Sequence, residues 1–178
     1  DGTKLFPERC AYTANYELSE PERDLYDAVT TYVREEMNNA DSRFTDKKRR
    51  GTVGFALTQL QRRLASSPEA IYQSLKRRKK RLETKMQELE AVKRGQLRSE
   101  ILSIYDRDIP EDLDEIQDEL NAEQWEEYAE EITDQATAAQ TVEELAAEIV
   151  ILSDLERQAG EVVRSKEDRK WNELRRIL

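Results

Sequence analysis

The chain has 178 residues, 37% hydrophobic and 38% charged, with a mean hydropathy of -0.91. That is too little apolar surface to fill a wide globular interior, and five glycines with four prolines supply little turn material for a sandwich or a doubly wound sheet. Few, long helices are left, each burying a stripe rather than surrounding a centre.

The net charge of -10 is distributed in blocks. Residues 1–42 carry 4 basic and 10 acidic side chains, residues 43–98 carry 17 and 5, residues 99–161 carry 2 and 21, and residues 162–178 carry 6 and 3. One stretch attracts a phosphate backbone and the next repels it, so the overall acidity identifies no partner. Histidine is absent and Cys10 is the single cysteine. This composition lacks the commonest general base, the usual zinc-ligand cluster and any internal disulfide. A reducing, cytoplasmic setting is the expectation. No run of about 18 apolar residues occurs to span a bilayer. The chain opens without Met or a signal-type apolar run, and is read as a segment of a longer protein.

Residues 10–18 place Tyr12 and Tyr16 at even spacing around Thr13 and predict a short extended segment. Ser19, Pro21 and Glu22 form a capping box with proline in the first turn. They open a helix to about Asn39 whose buried stripe is Leu25, Tyr26, Val29, Tyr32, Val33 and Met37. Residues 40–51 lose that period and gather charge, as an exposed loop does. A second helix spans 52–65, with Val53, Phe55, Ala56, Leu57, Leu60 and Leu64 nearly surrounding its axis. Ser67 caps, and Pro68 begins, a long helix in which Ile71, Leu75, Leu82, Met86, Leu89 and Val92 step at roughly heptad intervals toward a stop near Gly95.

Residues 97–105 predict a short apolar helix. The acidic stretch beyond it still carries amphipathic stripes: Ile109, Leu113, Ile116 and Leu120, then Trp125, Tyr128, Ala129 and Ile132. Two docked helices, the second capped by Asn121, are expected there rather than a disordered tail. Thr141 and Glu144 make another capping box, opening a helix through Val142, Leu145, Ile149, Leu152, Leu155 or Glu156, Ala159 and Val163. It matches the helix from Pro68 in length. The two are expected to pair as an antiparallel hairpin, with the basic flank of one against acidic side chains of the other. Residues 166–178 close the chain with an amphipathic helix carrying Trp171, Leu174 and Leu178 on one face. The expected fold is therefore mainly α: an elongated helical bundle with a long antiparallel coiled-coil-like hairpin and one short N-terminal extended segment.

Three phrases carry a resemblance. Leu18, Ser19, Glu22, Leu25, Tyr26, Asp27, Val29 and Tyr32 match the form LS..E..LYD.V..Y; Leu60 to Arg63, Ala65 to Pro68 and Ala70 match LQRR.ASSP.A; Asp168, Lys170, Trp171 and Leu174 match D.KW..L. In these the chain resembles the central part of bacterial and archaeal Swi/Snf-type ATP-dependent helicases and DNA translocases, the group with RNA-polymerase-associated and phage-defence members. The phrases bracket nearly the whole chain, whereas residues 95–161 correspond by position only.

The resemblance implies that residues 1–19 are the extended end of a first motor lobe and 20–66 a helical connector. It makes 67–165 a helical insertion with a long hairpin and acidic middle, and 166–178 a helix leading to the second lobe. It implies a noncatalytic segment that couples the flanking motor lobes and contacts double-stranded DNA or a protein partner, with no membrane involved. ATP and Mg would belong to the parent, because the chain has neither a GxxxxGK[ST] loop nor a Walker B carboxylate pair. The alternative, from another class, is a free-standing coiled-coil adaptor whose charge segregation serves protein association.

Six consecutive cations, Lys76, Arg77, Arg78, Lys79, Lys80 and Arg81, wrap around the long helix, with Lys85 one turn on. They suit salt-dependent, sequence-indifferent neutralisation of phosphates. The plainer reading is a solvated flank partly paired with the acidic stretch, and the resemblance, which sets this segment beside a DNA track, favours the first. Lys47, Lys48, Arg49 and Arg50 on the expected loop read either as a mobile basic contact or as solubilising charge. Arg62 and Arg63 complement the negative end of their helix, with a DNA or interlobe role as the second reading. Glu123, Glu127, Glu130 and Glu131 have spacings a di-metal bundle would use, but without histidine they read as a solvated acidic face. Region 106–135 is also read as a DNA mimic shielding the basic helix. Trp125 and Trp171 are expected in the core, and neither a catalytic residue nor a reactive Cys10 is assigned.

Overall fold

The structure, a computed structural model, describes residues 17–95, 120–165 and 169–177. Among these the chain forms six α-helices and no strand: α1 (Glu20–Arg43), α2 (Lys47–Ser66), α3 (Pro68–Lys93), α4 (Ala122–Gln135), α5 (Val142–Ser165) and α6 (Arg169–Ile177). The mainly α character required by composition and periodicity is present. The extended segment expected at 10–18 lies, but for its last two residues, outside the described residues, as do the helix expected at 97–105, the stripe from Ile109 to Ile116, and Cys10.

Local chemistry opens each of the longer helices. Glu22 accepts from the Ser19 amide at 2.8 Å to start α1, and Ser67 Oγ accepts from the Ala70 amide at 3.1 Å to start α3 behind Pro68. Asn121 Oδ1 accepts from the Gln124 amide at 2.9 Å, and Gln124 reaches back to the Asn121 amide at 3.2 Å. Thr141 and Glu144 make the same reciprocal pair at 3.1 and 3.2 Å. Each contact satisfies an amide that the first turn leaves without an intrahelical acceptor. Gly95, at φ +72°, lies just past α3 in the left-handed region that glycine enters freely.

The loop expected at 40–51 is a correction. α1 runs on to Arg43 and α2 begins at Lys47, so the connection is only Phe44–Asp46. Ala40 continues the buried stripe of α1, and Asp46 Oδ1 accepts from the Lys48 amide at 3.1 Å as the cap of α2. Lys and Arg are good helix formers, so a gathering of charge marked solvent exposure rather than a break.

One core runs through α1, α2, α3 and α5. It joins Leu25, Val29, Tyr32 and Val33 to Val53, Leu57 and Leu60, to Ile71, Leu75 and Leu82, and to Leu145, Leu152, Leu155, Ala159 and Val162. Because it crosses residue 66, the connector and the insertion expected from the sequence share a single interior. α3 and α5 make the most extensive pairing and run antiparallel: Tyr72 lies against Gly160, Lys79 pairs with Glu156, and Lys93 is near Glu143. A Cβ at Gly160 would stand 3.2 Å from the Tyr72 ring, so glycine lets that ring lie across α5. The pair is flanked rather than free-standing, with α1 packed on α2 and α5 and with α4 packed across α2 and α3.

α4 is held by a separate, smaller cluster of Ala56, Ile132 and Ala136 with Phe55 and Tyr128 against it. Trp125 meets the Phe55 ring edge-on at 5.9 Å and is half-buried. Trp171 departs from its expected core position: it is 51% exposed. The anchor of α6 is polar, Lys170 Nζ donating to the carbonyls of Ala65 and Ser66 at 3.0 and 3.3 Å, and the ring is faced by Arg175 rather than by apolar side chains. Tyr26 is likewise half-exposed, at the margin of the α1 stripe.

Candidate nucleic-acid interface

The first turn of α2 carries Lys47, Lys48, Arg49 and Arg50 and no acidic residue. Lys47 and Lys48 are exposed, Arg49 lies over the Phe44 ring at 5.8 Å, and Arg50 Nη1 is 4.0 Å from Asp41. Cations at a helix N-terminus oppose the macrodipole, each by roughly 0.3–1 kcal/mol at low salt, with the Asp46 cap as the local counterweight. At the other end of α2, Arg62 is exposed and Arg63 turns toward α4, its Nη2 at 3.5 Å from Glu126 and 3.9 Å from Glu130. Lys48 and Arg62 differ by about 40° around the axis and about 21 Å along it, so they share one side of the helix.

The basic run of α3 is divided, because consecutive helical residues fan out by about 100°. Lys76, 6.0 Å from the Tyr72 ring, and Lys80 face solvent. Arg77 faces α4, pairing with Glu130 and, at 3.3 Å, with Asp134. Lys79 faces α5, and its hydrogen bond with Glu156 raises its pKa above the ordinary lysine value. Arg81 is half-buried.

Arg78 points inward and is 0% exposed, which takes it out of the outward-facing basic set. It donates from Nε to Tyr32 Oη at 2.9 Å, from Nη1 to the Thr133 carbonyl at 2.7 Å and from Nη2 to Glu148 Oε1 at 2.9 Å. Tyr32 in turn donates to Glu148 Oε1 at 2.7 Å, and Thr137 Oγ1 donates to Glu148 Oε2. Burial pulls the Arg78 pKa down, but Tyr32 and Glu148 beside it more than offset this and hold it above its ordinary value. Burial, with Glu148 adding, pushes Tyr32 well up, so the phenol stays protonated and serves as a donor. Burial and the same carboxylate also raise Glu36.

Periodicity alone did not single out this network, yet a signal was there. Glu148 sits on the stripe of Leu145, Ile149 and Leu152, and Arg78 fills the gap between Leu75 and Leu82. A charge on a core-facing position needs a partner, and here each meets the other.

α4 carries Glu123, Glu126, Glu127, Glu130, Glu131 and Asp134 and no basic residue. Glu123 and Glu127 face solvent, whereas Glu130 and Asp134 are turned toward α3. Burial, with Glu130 adding and with Arg77 and Arg78 opposing, pushes Asp134 up to about 6. Its Oδ1 is buried with no hydrogen-bond partner. Among the described residues no group of three or more His, Cys, Asp or Glu side chains is arranged to hold a metal ion, and no helix is long and apolar enough to cross a membrane.

No protein-family model, no curated protein and no solved structure matches the chain.

Proposed function

We propose that the chain is a noncatalytic helical insertion and connector of an ATP-dependent DNA helicase or translocase, contacting the duplex phosphate backbone through the outward cations of α2 and α3 and coupling the two motor lobes. The family setting rests on the three phrases that resemble such proteins. Nucleic-acid contact is carried by one observation, the crowding of Lys47, Lys48, Arg49 and Arg50 into the turn of α2 where the helix dipole is already positive. That placement costs folding free energy, and departures from local rules of this kind gather at functional sites. The positive end of the helix dipole and the cations around it both attract phosphate. Arg62 on the same side of α2, and Lys76 with Lys80 one turn apart on α3, extend the positive surface. ATP and Mg would be held by the flanking lobes.

The acidic α4 fits this reading as an internal stand-in for phosphate, since its carboxylates occupy Arg63 and Arg77. A protein-interaction adaptor is favoured by a different observation, the exposed apolar side chains of α5 and α6.

Binding of the chain to a labelled DNA duplex at about 50 mM and about 200 mM salt tests the proposal. Affinity should fall with salt, and the combined Lys47→Gln and Lys48→Gln substitutions should lower the slope by about 0.9 for each phosphate that is no longer neutralised. No binding at the lower salt, or a slope those substitutions leave unchanged, counts against it.

A further inference from the structure

Two surfaces away from the basic cations are complementary to each other. Between α1 and α5 runs an open groove of about 520 Å³. Its apolar lining is Ala28, Val150, Ile151 and Leu155, with Val150 70% and Ile151 40% exposed. Asp27 and Glu35 set acidic groups along its α1 wall, while Asp154 on the α5 wall is bonded to Arg157 and Gln158.

The second surface is α6. Trp171, Leu174 and Ile177 recur at i, i+3 and i+6 and so share one face, and they are 51%, 43% and 45% exposed. Lys170, Arg175 and Arg176 flank that face, with Arg175 over the Trp171 ring at 5.6 Å and Arg176 bonded to Glu173. The apolar stripe with basic margins is the charge complement of the apolar groove with acidic margins. The lengths agree as well. α6 and each groove wall, from Asp27 to Glu35 and from Val150 to Gln158, are nine helical residues long, about 13 Å.

Within one chain the two surfaces are apart, because Lys170 ties α6 to the carbonyls that end α2. We propose that the occupant of the groove is α6 of a second copy of this chain, and that the exchange is reciprocal, giving a two-fold dimer. A single nine-residue helix buries less than the roughly 1,200 Å² of a stable interface, and two-fold symmetry makes the same contact twice. The dimer is independent of nucleic-acid binding, since Lys47, Lys48, Arg62, Lys76 and Lys80 take no part in it.

The test is sedimentation of the whole chain across a concentration series. The native chain should reach a dimer. Leu174→Glu on α6 and Val150→Glu in the groove, both at exposed positions and checked for unchanged helical circular dichroism, should each raise the dissociation constant about tenfold or more. A mixture of the two variants should associate more strongly than either alone, because the intact α6 of one meets the intact groove of the other. A native chain that stays monomeric, a dimer indifferent to both substitutions, or a mixture no better than its components overturns the proposal.

Discussion

Arg78 and Glu148, seventy positions apart in the chain, meet at 2.9 Å with 0% and 3% of their side chains exposed. The ion pair joins α3 and α5, the two helices with the most extensive pairing, while Tyr32 brings α1 and the Thr133 carbonyl brings the end of α4 onto the same guanidinium. Four helices are thereby tied at one point. Burying two charges costs several kcal/mol each, and the attraction and hydrogen bonds between them offset it only when the geometry holds. The arrangement therefore selects one register of the bundle more than it adds stability.

Removing one partner of this pair should be costly and removing both less so. Arg78→Met alone leaves the Glu148 charge uncompensated and should lower unfolding free energy by about 3–5 kcal/mol. Arg78→Met combined with Glu148→Leu should recover only part of that loss, because Tyr32, Thr137 and the Thr133 carbonyl lose the partners they bond in the native chain. Tyr32→Phe, which deletes the hydroxyl but keeps the pair, should cost about 1–3 kcal/mol. Urea denaturation of the three variants reads these values, and a single variant as stable as the native chain would contradict the account.

Asp134 should make stability depend on pH. Its carboxyl titrates at about 6 in the folded chain against an ordinary value of 3.8. Between these limits the folded state binds more protons than the unfolded one, so this group's contribution falls as pH rises from about 4 to about 6 and stays lower above that range. Asp134→Asn should stabilise the chain at pH 7, by about 1 kcal/mol after screening at its partly exposed side, and do little at pH 4. Denaturation midpoints at the two pH values measure it; equal effects at both would exclude ionisation as the cause.

Neutralising Glu126 and Glu130 should free Arg63, while Arg77 stays held by Asp134. If those carboxylates occupy a phosphate site, Glu126→Gln with Glu130→Gln should tighten duplex binding at low salt and steepen its salt dependence by about 0.9, for the one additional phosphate that Arg63 neutralises. Unchanged affinity in the variant, beside measurable native binding, would mean that α4 is only packed there. The same anisotropy titration used for the native chain decides between the two.

Ser67 links two helices by capping one of them. Ser67→Ala removes the acceptor for the Ala70 amide at the start of α3 and should cost about 1 kcal/mol. Ser67→Gly should cost only a few tenths, as glycine at this position generally does, because without a Cβ it leaves room for water at the partly buried amide. Thermal denaturation followed by circular dichroism ranks the two, and the reverse order would remove the hydroxyl from the explanation.

The helix starts and their buried stripes were legible in the amino-acid sequence because the forces behind them are local. Ser19 and Glu22, Asn121 and Gln124, and Thr141 and Glu144 meet within one turn, and side chains three or four positions apart share a face wherever the helix lies. The pairing of α3 with α5 followed from two stripes of similar length that each required cover. The extent of α1 and α2 did not, since charge at 47–50 describes solvent contact and a helix permits that as readily as a loop.

Which of six consecutive cations turns inward was decided by the tertiary structure alone. Arg78 is buried because Glu148, Tyr32 and Thr133 converge on it from three other segments, and without them burial would be prohibitive. Trp171 is 51% exposed, with the Arg175 guanidinium of its own helix over the ring, and Arg63 and Arg77 are paired because α4 lies across α2 and α3. Local hydrogen bonds and periodicity belong to the sequence; desolvation and its compensation belong to neighbours that only the folded chain assembles.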